Sequence, residues 1–525
     1  MKNMDPKNTL SIYGSHDASV VFYDKSNILR VLEYERFVQK RYAMYSEKFD
    51  RREKDLGTNQ NSREEFIQYI KTQTTDIQNI LYNELTTNDI NYLKTQFPNA
   101  SFKICGHHMS HAASGYFTSG YKSAVIFSVD GGGVDNGMVA HTKIFEAKDN
   151  NINLIDTPNI NLGVAYGRIG CAISEINPGL DSNIDSLVYA GKVMGLCGYG
   201  SVRNEWVDAM KQYYNHLDLE RLGNDIKVPL FFNSVKGKIS KDLAATSQHV
   251  FEILLFDLIQ PYITNYNNFI MVGGCALNVL FNQRLKKLVT SLNKNLYIPS
   301  NPNDCGLALG QFLLEHPNVN TNVYNGFGIL DEKKLPEWIK ERNAKKVTPS
   351  TIVKLLKKGN IIGIVEGGSE IGPRALGNRS IICDPSIPNM KDILNSKVKF
   401  REWFRPFAPV CRLEDKDLFF EDAYESEFMS YAPYVKDEYQ SKLKTICHID
   451  GTARLQTVTN QQHSTFYKIL TELKNQKEIP VILNTSFNIK GKPILTTIKD
   501  ALYCLDNTQM DYVIIKGWLF KRKSL

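Results

Sequence analysis

The feature that most constrains this chain is a repeated local grammar. Leu10 to Tyr13 alternates as a strand, Gly14-Ser15-His16-Asp17 forms a polar turn, and Val20 to Tyr23 and Ile28 to Tyr34 continue as strands. The same order returns at 124–145, where Ala124 to Val129 is an apolar β-run, Asp130-Gly131-Gly132-Gly133 reads as a tight turn, and Met138 to Ile144 is the return strand. Two hairpins with acidic or glycine-rich tips, each opening a unit with later helices, suggest duplicated α/β half-domains. Between them, residues 46–100 are polar; Ser62 to Glu65 reads as a capping box, and Phe66, Ile70, Ile77 and Leu81 recur at helical spacing. A helix is expected over Ala244 to Ile259, followed by a strand at Phe269 to Val272. The Lys/Glu/Pro-rich stretch 325–350 marks a boundary, after which strands at Ile361 to Val365, Val481 to Leu483 and Tyr512 to Ile515 alternate with helical segments. Two domains follow, 1–335 and 345–525.

Composition narrows the function classes. A net charge of +7 over 525 residues, with basic runs that are short and not interleaved with aromatics, does not describe a nucleic-acid groove. Nine scattered cysteines without a Cys-x-x-Cys pair argue for reduced thiols in a cytoplasm, and against a disulfide framework or zinc ribbon. Neither a signal-like apolar stretch at the start nor a membrane-length apolar run is present, so the expectation is a cytoplasmic protein without a membrane partner.

Three groups of residues carry chemistry. His107 and His111, four apart, share one helix face and can share one metal, or can hydrogen-bond within a small-residue core. Asp304, at a loop-to-helix turn, supplies a carboxylate; two imidazoles and one carboxylate leave open positions suited to Fe(II) or Zn(II). Gly131, Gly132, Gly273 and Gly274 can bring backbone N–H groups to an anion, and with "GKVMGLCGYG" (191–200), which contains Lys192, and Asn278 after the second glycine turn they are nucleotide-binding candidates. The third group comprises Arg374, Arg379, Lys399, Arg405 and Arg454, set beside Gly, Pro and Asn as though in turns, with the Ser486 loop nearby. Guanidinium groups so placed suit a dianionic phosphate.

These blocks resemble the O-carbamoyltransferase family that includes the nodulation-factor, cephamycin and tobramycin carbamoyltransferases. "HDAS" (16–19), "HHMSHA" (107–112), "SVDGGG", "GKVMGLCGYG", "GGCALN", "NPNDCGLALG", "GPRALGNRS", "KFREWFRPFAP", "DGTARLQTV" and "NTSFN" stand in family order over nearly the whole chain. The resemblance implies an α/β N-terminal actin-like duplicated domain, binding metal and nucleotide and transferring the carbamoyl group. It is fused to a C-terminal YrdC-like α/β domain that forms carbamoyl-adenylate from carbamoyl phosphate and ATP.

Carried over by motif, His107, His111 and Asp304 would hold iron, with Zn or Mn as alternatives, and ATP would enter with Mg. His16 and Asp130 would sit near the acceptor hydroxyl, either one serving as base. Arg374, Lys399, Arg405, Arg454 and Ser486 would bind carbamoyl phosphate. The acceptor would be a small molecule, sugar or nucleotide, and a homodimer is compatible with the resemblance. Relatives read Glu-Glu-Arg and then Lys-His; here Tyr34 stands within the acidic pair and Tyr42 where that histidine is expected. Competing readings are threonylcarbamoyl-adenosine synthesis, hydrogenase-maturation carbamoylation of a thiol, and a non-catalytic actin-like scaffold.

Overall fold

The computed structural model describes residues 4–46, 60–135, 137–178, 187–217, 235–489 and 491–523. The chain divides into two compact units, Met1–Val38 with Tyr42–Thr321 and Gln39–Arg41 with Asn322–Leu525. Both are mixed α/β.

The first unit contains two five-stranded sheets. One is built from β1 (Thr9–Tyr13), β2 (Ser19–Tyr23), β3 (Leu29–Glu33), β4 (Asn79–Asn83) and β5 (Ser101–Ile104), in the order β3-β2-β1-β4-β5. The other comprises β6 (Ser123–Asp135), β7 (Met138–Lys148), β8 (Asn151–Asp156), β9 (Asn268–Val272) and β10 (Asn295–Tyr297), in the order β8-β7-β6-β9-β10. Within each, the first three strands pair antiparallel and the last two run parallel to the first. The two sheets therefore share one order and one polarity. β1 is buried along its whole length, and β6 is buried from Ala124 to Asp130, as strands covered on both faces require.

Two helices connect the sheets. His107–Ser119 packs on β6, β7 and β9, Leu307–Glu315 packs on β1, β2 and β4, and the two pack on each other. Small residues set these distances. A Cβ added at Gly115 would lie 2.7 Å from Ile270 and Val272, and one at Gly310 would lie 1.7 Å from the Ser110 carbonyl oxygen. Ser11 on β1 donates to Gln311 at 2.9 Å, tying the second helix to its sheet.

Several expectations change on this fold. The glycine run is no turn: Asp130 to Gly133 lies inside β6, where the register to β7 shifts between Val129 and Gly133, and the strand continues to Asp135. Such a bulge leaves residues out of the ladder and redirects their side chains. Ser62 lies inside the helix Gln60–Gln73 rather than capping it; Ile77 follows that helix and Leu81 belongs to β4, so the helical spacing ran across an element boundary. Residues 47–59 of the polar insertion lie outside the described residues, as does Lys490 of the "NTSFNIKGKP" stretch. The helix read from Ala244 begins at Lys238.

The second unit is organised by one eight-stranded sheet. Its strands are β11 (Lys345–Lys346), β12 (Ile362–Val365), β13 (Arg379–Cys383), β14 (Ala408–Arg412), β17 (Gln456–Val458), β18 (Val481–Ser486), β19 (Tyr512–Ile515) and β20 (Trp518–Lys521); β15 (Phe420–Glu421) and β16 (Tyr434–Val435) pair separately. The order is β11-β20-β19-β12-β13-β18-β14-β17. Successive apolar residues serve opposite faces, as a period of two dictates. Ile362, Ile364, Ile382, Ile482 and Ile514 pack with the helices Pro349–Lys357 and Ser464–Asn475. Val365, Ile381, Cys383, Leu483, Val513 and Ile515 pack with the helix Ile498–Asn507 on the other side. The charged stretch after 325 belongs to this unit: Ile329 enters the second core, and Asp331 accepts hydrogen bonds from the amides of Ile498 (2.6 Å) and Lys499 (3.1 Å).

Because the obstacle at Gly310 is backbone rather than a flexible side chain, Gly310→Ala is expected to force the helix pair apart and destabilise the first unit by about 1–3 kcal/mol. A urea titration should read this as an earlier midpoint. An unchanged midpoint would mean the two helices can separate at no cost.

Candidate active site

The first unit places its chemistry-bearing residues around the carboxyl ends of parallel strands, where open α/β sheets bind ligands. β1 ends in Tyr13 and leads to His16, β4 is followed by Glu84, Asp130 lies in the bulge of β6, and β9 runs into Gly273-Gly274. Gly106 occupies the N-cap of the helix that begins with His107, and Asp304 opens the 3-10 turn leading into Leu307–Glu315.

Four side chains converge there. The nearest ligand-type atoms of His107, His111, Asp130 and Asp304 all lie within 4.8 Å of one another, and all four residues are buried. His111 Nε2 is 2.9 Å from Asp130 Oδ2 and 3.3 Å from Asp304 Oδ1; His107 Nε2 is 3.7 Å from each of the same two oxygens. The ring of His107 fits only because position 133 is glycine, where a Cβ would lie 2.1 Å from the imidazole.

The electrostatics describe a site that requires positive charge. Burial alone would lower the His107 pKa, but Asp304, Asp130 and Glu84 raise it to about 10. Burial also disfavours a charged His111, and hydrogen bonds to Asp130 and Asp304 outweigh it. Burial works to raise Asp130, yet the two histidines hold its carboxyl well below the usual range, while burial and the Asp130 charge push Asp304 up. Two carboxylates at this separation cannot both ionise unless a cation, proton or metal, lies among them. His107 Nε2 has no hydrogen-bond partner despite full burial, which is the geometry of a ligand atom facing a metal position. Two imidazoles and two carboxylates suit Fe(II), Zn(II) or Mn(II).

The two residues expected beside the acceptor separate here. Asp130 lies within the ligand group as a fourth candidate ligand. His16 lies at its edge, with Nε2 3.5 Å from Asp304 Oδ2, Nδ1 3.3 Å from Asp17, and a side chain 19% exposed. His108 points away, bonded to Ser128 at 2.8 Å and the Ala140 carbonyl at 2.9 Å.

Of the nucleotide candidates, the glycines gather on Asp130. The Gly131 amide donates to Asp130 Oδ1 at 2.6 Å, and a Cβ at Gly274 would lie 3.1 Å from that oxygen. Gly132 takes the positive φ of 140° that the bulge demands, against the ring of His141, whose Nδ1 bonds the Gly131 carbonyl at 2.7 Å. Gly273, at φ 86°, closes on the backbone of Val129. Lys192 and Asn278 are not in this cluster. The Lys192 ammonium donates to the Ile176 carbonyl at 3.2 Å; Asn278 caps the helix Val279–Ser291 through the Phe281 amide at 3.1 Å and bonds Gln248.

Sequence reasoning missed Tyr13 and Glu84. The Tyr13 hydroxyl donates to Asp304 at 2.6 Å, and Glu84 Oε1 stands 3.2 Å from His107 Nδ1. Glu84 has a left-handed backbone, φ 52°, a conformation that costs a non-glycine residue about 1 kcal/mol or more. No residue-type pattern announces either one, because their importance comes from pairing between β1 and β4.

The second unit gathers positive charge. Arg454 is pushed below its usual value by burial and then by Arg374, Arg401 and Arg405; Lys399 is pulled well below its own by burial and by Arg401 and Arg405. The Lys399 ammonium is held by the carbonyls of Ser486 (2.7 Å) and Asn488 (2.9 Å) and lies 3.3 Å from Ser486 Oγ. Arg401, overlooked in the motif "KFREWFRPFAP", donates to Asn395 at 2.8 Å and to the Pro406 carbonyl at 3.2 Å, over the ring of Phe407. Lys399 is buried and Arg374, Arg401, Arg405 and Arg454 are half-buried, with Glu402 3.5 Å from Arg405; cations crowded in this way are relieved by an anion. Arg379 is the exception to the sequence reading: it begins β13, is fully buried, and donates to the carbonyls of Asn378 (2.8 Å) and Gly367 (3.1 Å), so its charge holds backbone.

Comparison with known proteins follows the same division of the chain. A family model described as "Carbamoyltransferase N-terminus" matches residues 53–313, and one described as "Carbamoyltransferase C-terminus" matches 353–522. An uncharacterized protein of Methanocaldococcus jannaschii is 30% identical over 85% of this chain and 78% of its own length. Nodulation protein NolNO of Sinorhizobium fredii is 29% identical over 82% of this chain and 65% of its own length; nodulation protein NolO of Bradyrhizobium diazoefficiens is 28% identical over 79% of each. A crystal structure of full-length HypF in the phosphate- and nucleotide-bound form aligns at 13% identity and a TM-score of 0.35, covering 59% of this chain and 55% of that one.

His463 packs against Gly377 and Asn378: its Nδ1 accepts the Phe466 amide at 3.1 Å, capping Ser464–Asn475, and its Nε2 lies 3.2 Å from Asn378. Burial lowers its pKa to about 4, so between the unfolded value near 6.5 and pH 4 the unfolded chain binds the extra proton. Stability should therefore fall as pH drops through that window, by up to about 3 kcal/mol from this group. His463→Asn keeps a capping acceptor without the titration and should flatten the fall in tryptophan-monitored unfolding; an unchanged pH profile would exclude His463 as its source.

Proposed function

Since the chain belongs to the carbamoyltransferase family, and is accordingly a transferase acting between a carbamoyl donor and an acceptor, we propose that it is an ATP-dependent O-carbamoyltransferase. The donor is carbamoyl phosphate, the activated intermediate is carbamoyl-adenylate, and the acceptor is a hydroxyl of a small molecule, sugar or nucleotide. In this reading the first unit is an actin-like duplicated domain, the second is a YrdC-like domain, and the reaction runs in the cytoplasm. The observation carrying it is the presence, on one chain, of a repelling cation cluster and a buried two-His, two-Asp group.

The cations bind the donor. Arg374, Arg405 and Arg454 receive its phosphate, with Ser486 held beside them by Lys399, and offset negative charge as the acyl–phosphate bond breaks. Water completes that cleavage, inorganic phosphate leaves, and a carbamate oxygen attacks the α-phosphorus of ATP, which enters with Mg, expelling pyrophosphate. The mixed anhydride then meets the acceptor hydroxyl: the carbamoyl carbon bonds to the acceptor oxygen, its bond to AMP breaks, and AMP leaves. His16 takes the hydroxyl proton at Nε2 while Asp17 holds Nδ1. Of the four glycines, Gly131, where a Cβ would meet only Val164 at 3.8 Å, leaves room for the nucleotide phosphate beside Asp130. A divalent cation, Fe(II) with Zn or Mn as alternatives, held by His107, His111, Asp304 and Asp130, would polarise a phosphoryl or carbonyl oxygen.

With ATP and carbamoyl phosphate together the protein should release pyrophosphate, and Arg374→Ala or Arg454→Ala should lower that rate at least about 100-fold. ATP hydrolysis to ADP that ignores carbamoyl phosphate would contradict the proposal. His107→Ala should retain pyrophosphate release yet abolish addition of a carbamoyl unit in a mass-shift screen of candidate alcohols. Equal loss of both in a folded variant would overturn the division of labour.

A further inference from the structure

The candidate ligands have outer atoms as well as inner ones. His107 turns Nε2, 3.7 Å from Asp130 and Asp304 and without a hydrogen bond, toward the group and its Nδ1 toward Glu84 Oε1, 3.2 Å away. Asp304 turns Oδ1 toward the two histidines, at 3.3 and 3.7 Å, while Oδ2 accepts the Tyr13 hydroxyl at 2.6 Å. Glu84 Oε2 lies 3.4 Å from the same hydroxyl, so the two outer partners also meet each other.

Both come from neighbouring strand ends. β1 and β4 pair in parallel with Tyr13 opposite Asn83, which sets Tyr13 beside the residue preceding Glu84. The next step is closed by Gly14, where a Cβ would lie 2.5 Å from the Glu84 carbonyl oxygen. Glu84 keeps its large side chain at φ 52°, where glycine or asparagine would be the easier choice. A strained backbone of this kind persists where the direction of a side chain matters.

We infer that Glu84 and Tyr13 are positioning residues for the candidate metal ligands. The Glu84 carboxylate accepts the Nδ1–H of His107 and fixes the tautomer whose Nε2 lone pair faces inward; the Tyr13 hydroxyl fixes Asp304 with Oδ1 facing inward. The inference rests on the proposed function's placing of a divalent cation among His107, His111, Asp130 and Asp304.

The test uses the full chain stripped of metal and titrated with Co(II), read by its visible absorption bands and by equilibrium dialysis. Wild type should take up one Co(II), and His107→Ala should lose it. Glu84→Gln, Glu84→Gly and Tyr13→Phe should bind Co(II) about 10- to 100-fold more weakly, with shifted bands. Glu84→Gln keeps the size of the side chain and the backbone, so its metal-free thermal midpoint should stay near wild type while its affinity falls. A purely structural Glu84 would not produce that separation. Unchanged Co(II) affinity and bands in the three variants, with His107→Ala still losing binding, would overturn the inference and leave the metal reading standing. Affinity losses that merely follow lowered metal-free midpoints would overturn it as well, and a wild type that binds no Co(II) would bring down both.

Discussion

Two buried carboxylates and two buried imidazoles share a space in which they cannot coexist without a positive charge between them. The carboxylates raise the proton affinity of both histidines against the effect of burial. Much of the first unit serves to keep the four groups together. The small-residue face of His107–Ser119 permits close packing on β9 and against Leu307–Glu315, and the bulge in β6 moves Asp130 out of its ladder. Duplicated sheet topology then supplies equivalent strand ends, Tyr13 and Glu84 from one sheet, Asp130 and the Gly273 turn from the other.

The second unit poses the opposite electrostatic problem. Burial and then the charges of Arg374, Arg401 and Arg405 lower the proton affinity of Arg454, burial with Arg401 and Arg405 lowers that of Lys399, and the Lys399 ammonium donates to the loop at Ser486 and Asn488. One unit thus gathers buried carboxylates and imidazoles and the other gathers cations, most of them half-buried.

How far the sequence carried these results depended on whether the cause was local. The strands at 10–34 and 361–365 were readable, because alternation and apolar runs are written in consecutive residues. The His107/His111 pair was readable for the same reason, since four residues make one helical turn. The glycine run misled because glycines signal turns and bulges alike, and only pairing with β7 distinguishes them. Asp130 was expected beside the acceptor, and its closeness to His107, His111 and Asp304 was not legible because it depends on that bulge. Arg379 carried the residue type of a phosphate binder, but its buried start on β13 commits it to carbonyl oxygens. Glu84 and Tyr13 acquire meaning only from strands paired 70 residues apart, Thr9 opposite Asn79.

The central claim is that a cation occupies the centre of the four-residue group. Anomalous diffraction at the iron edge, from crystals of the full chain grown without chelator and supplied with Fe(II), tests it directly. The account predicts one peak at about 2.0–2.2 Å from His107 Nε2, His111 Nε2 and an Asp304 oxygen. Iron bound elsewhere with those side chains still hydrogen-bonded to one another, or no peak at full occupancy of added metal, would contradict it.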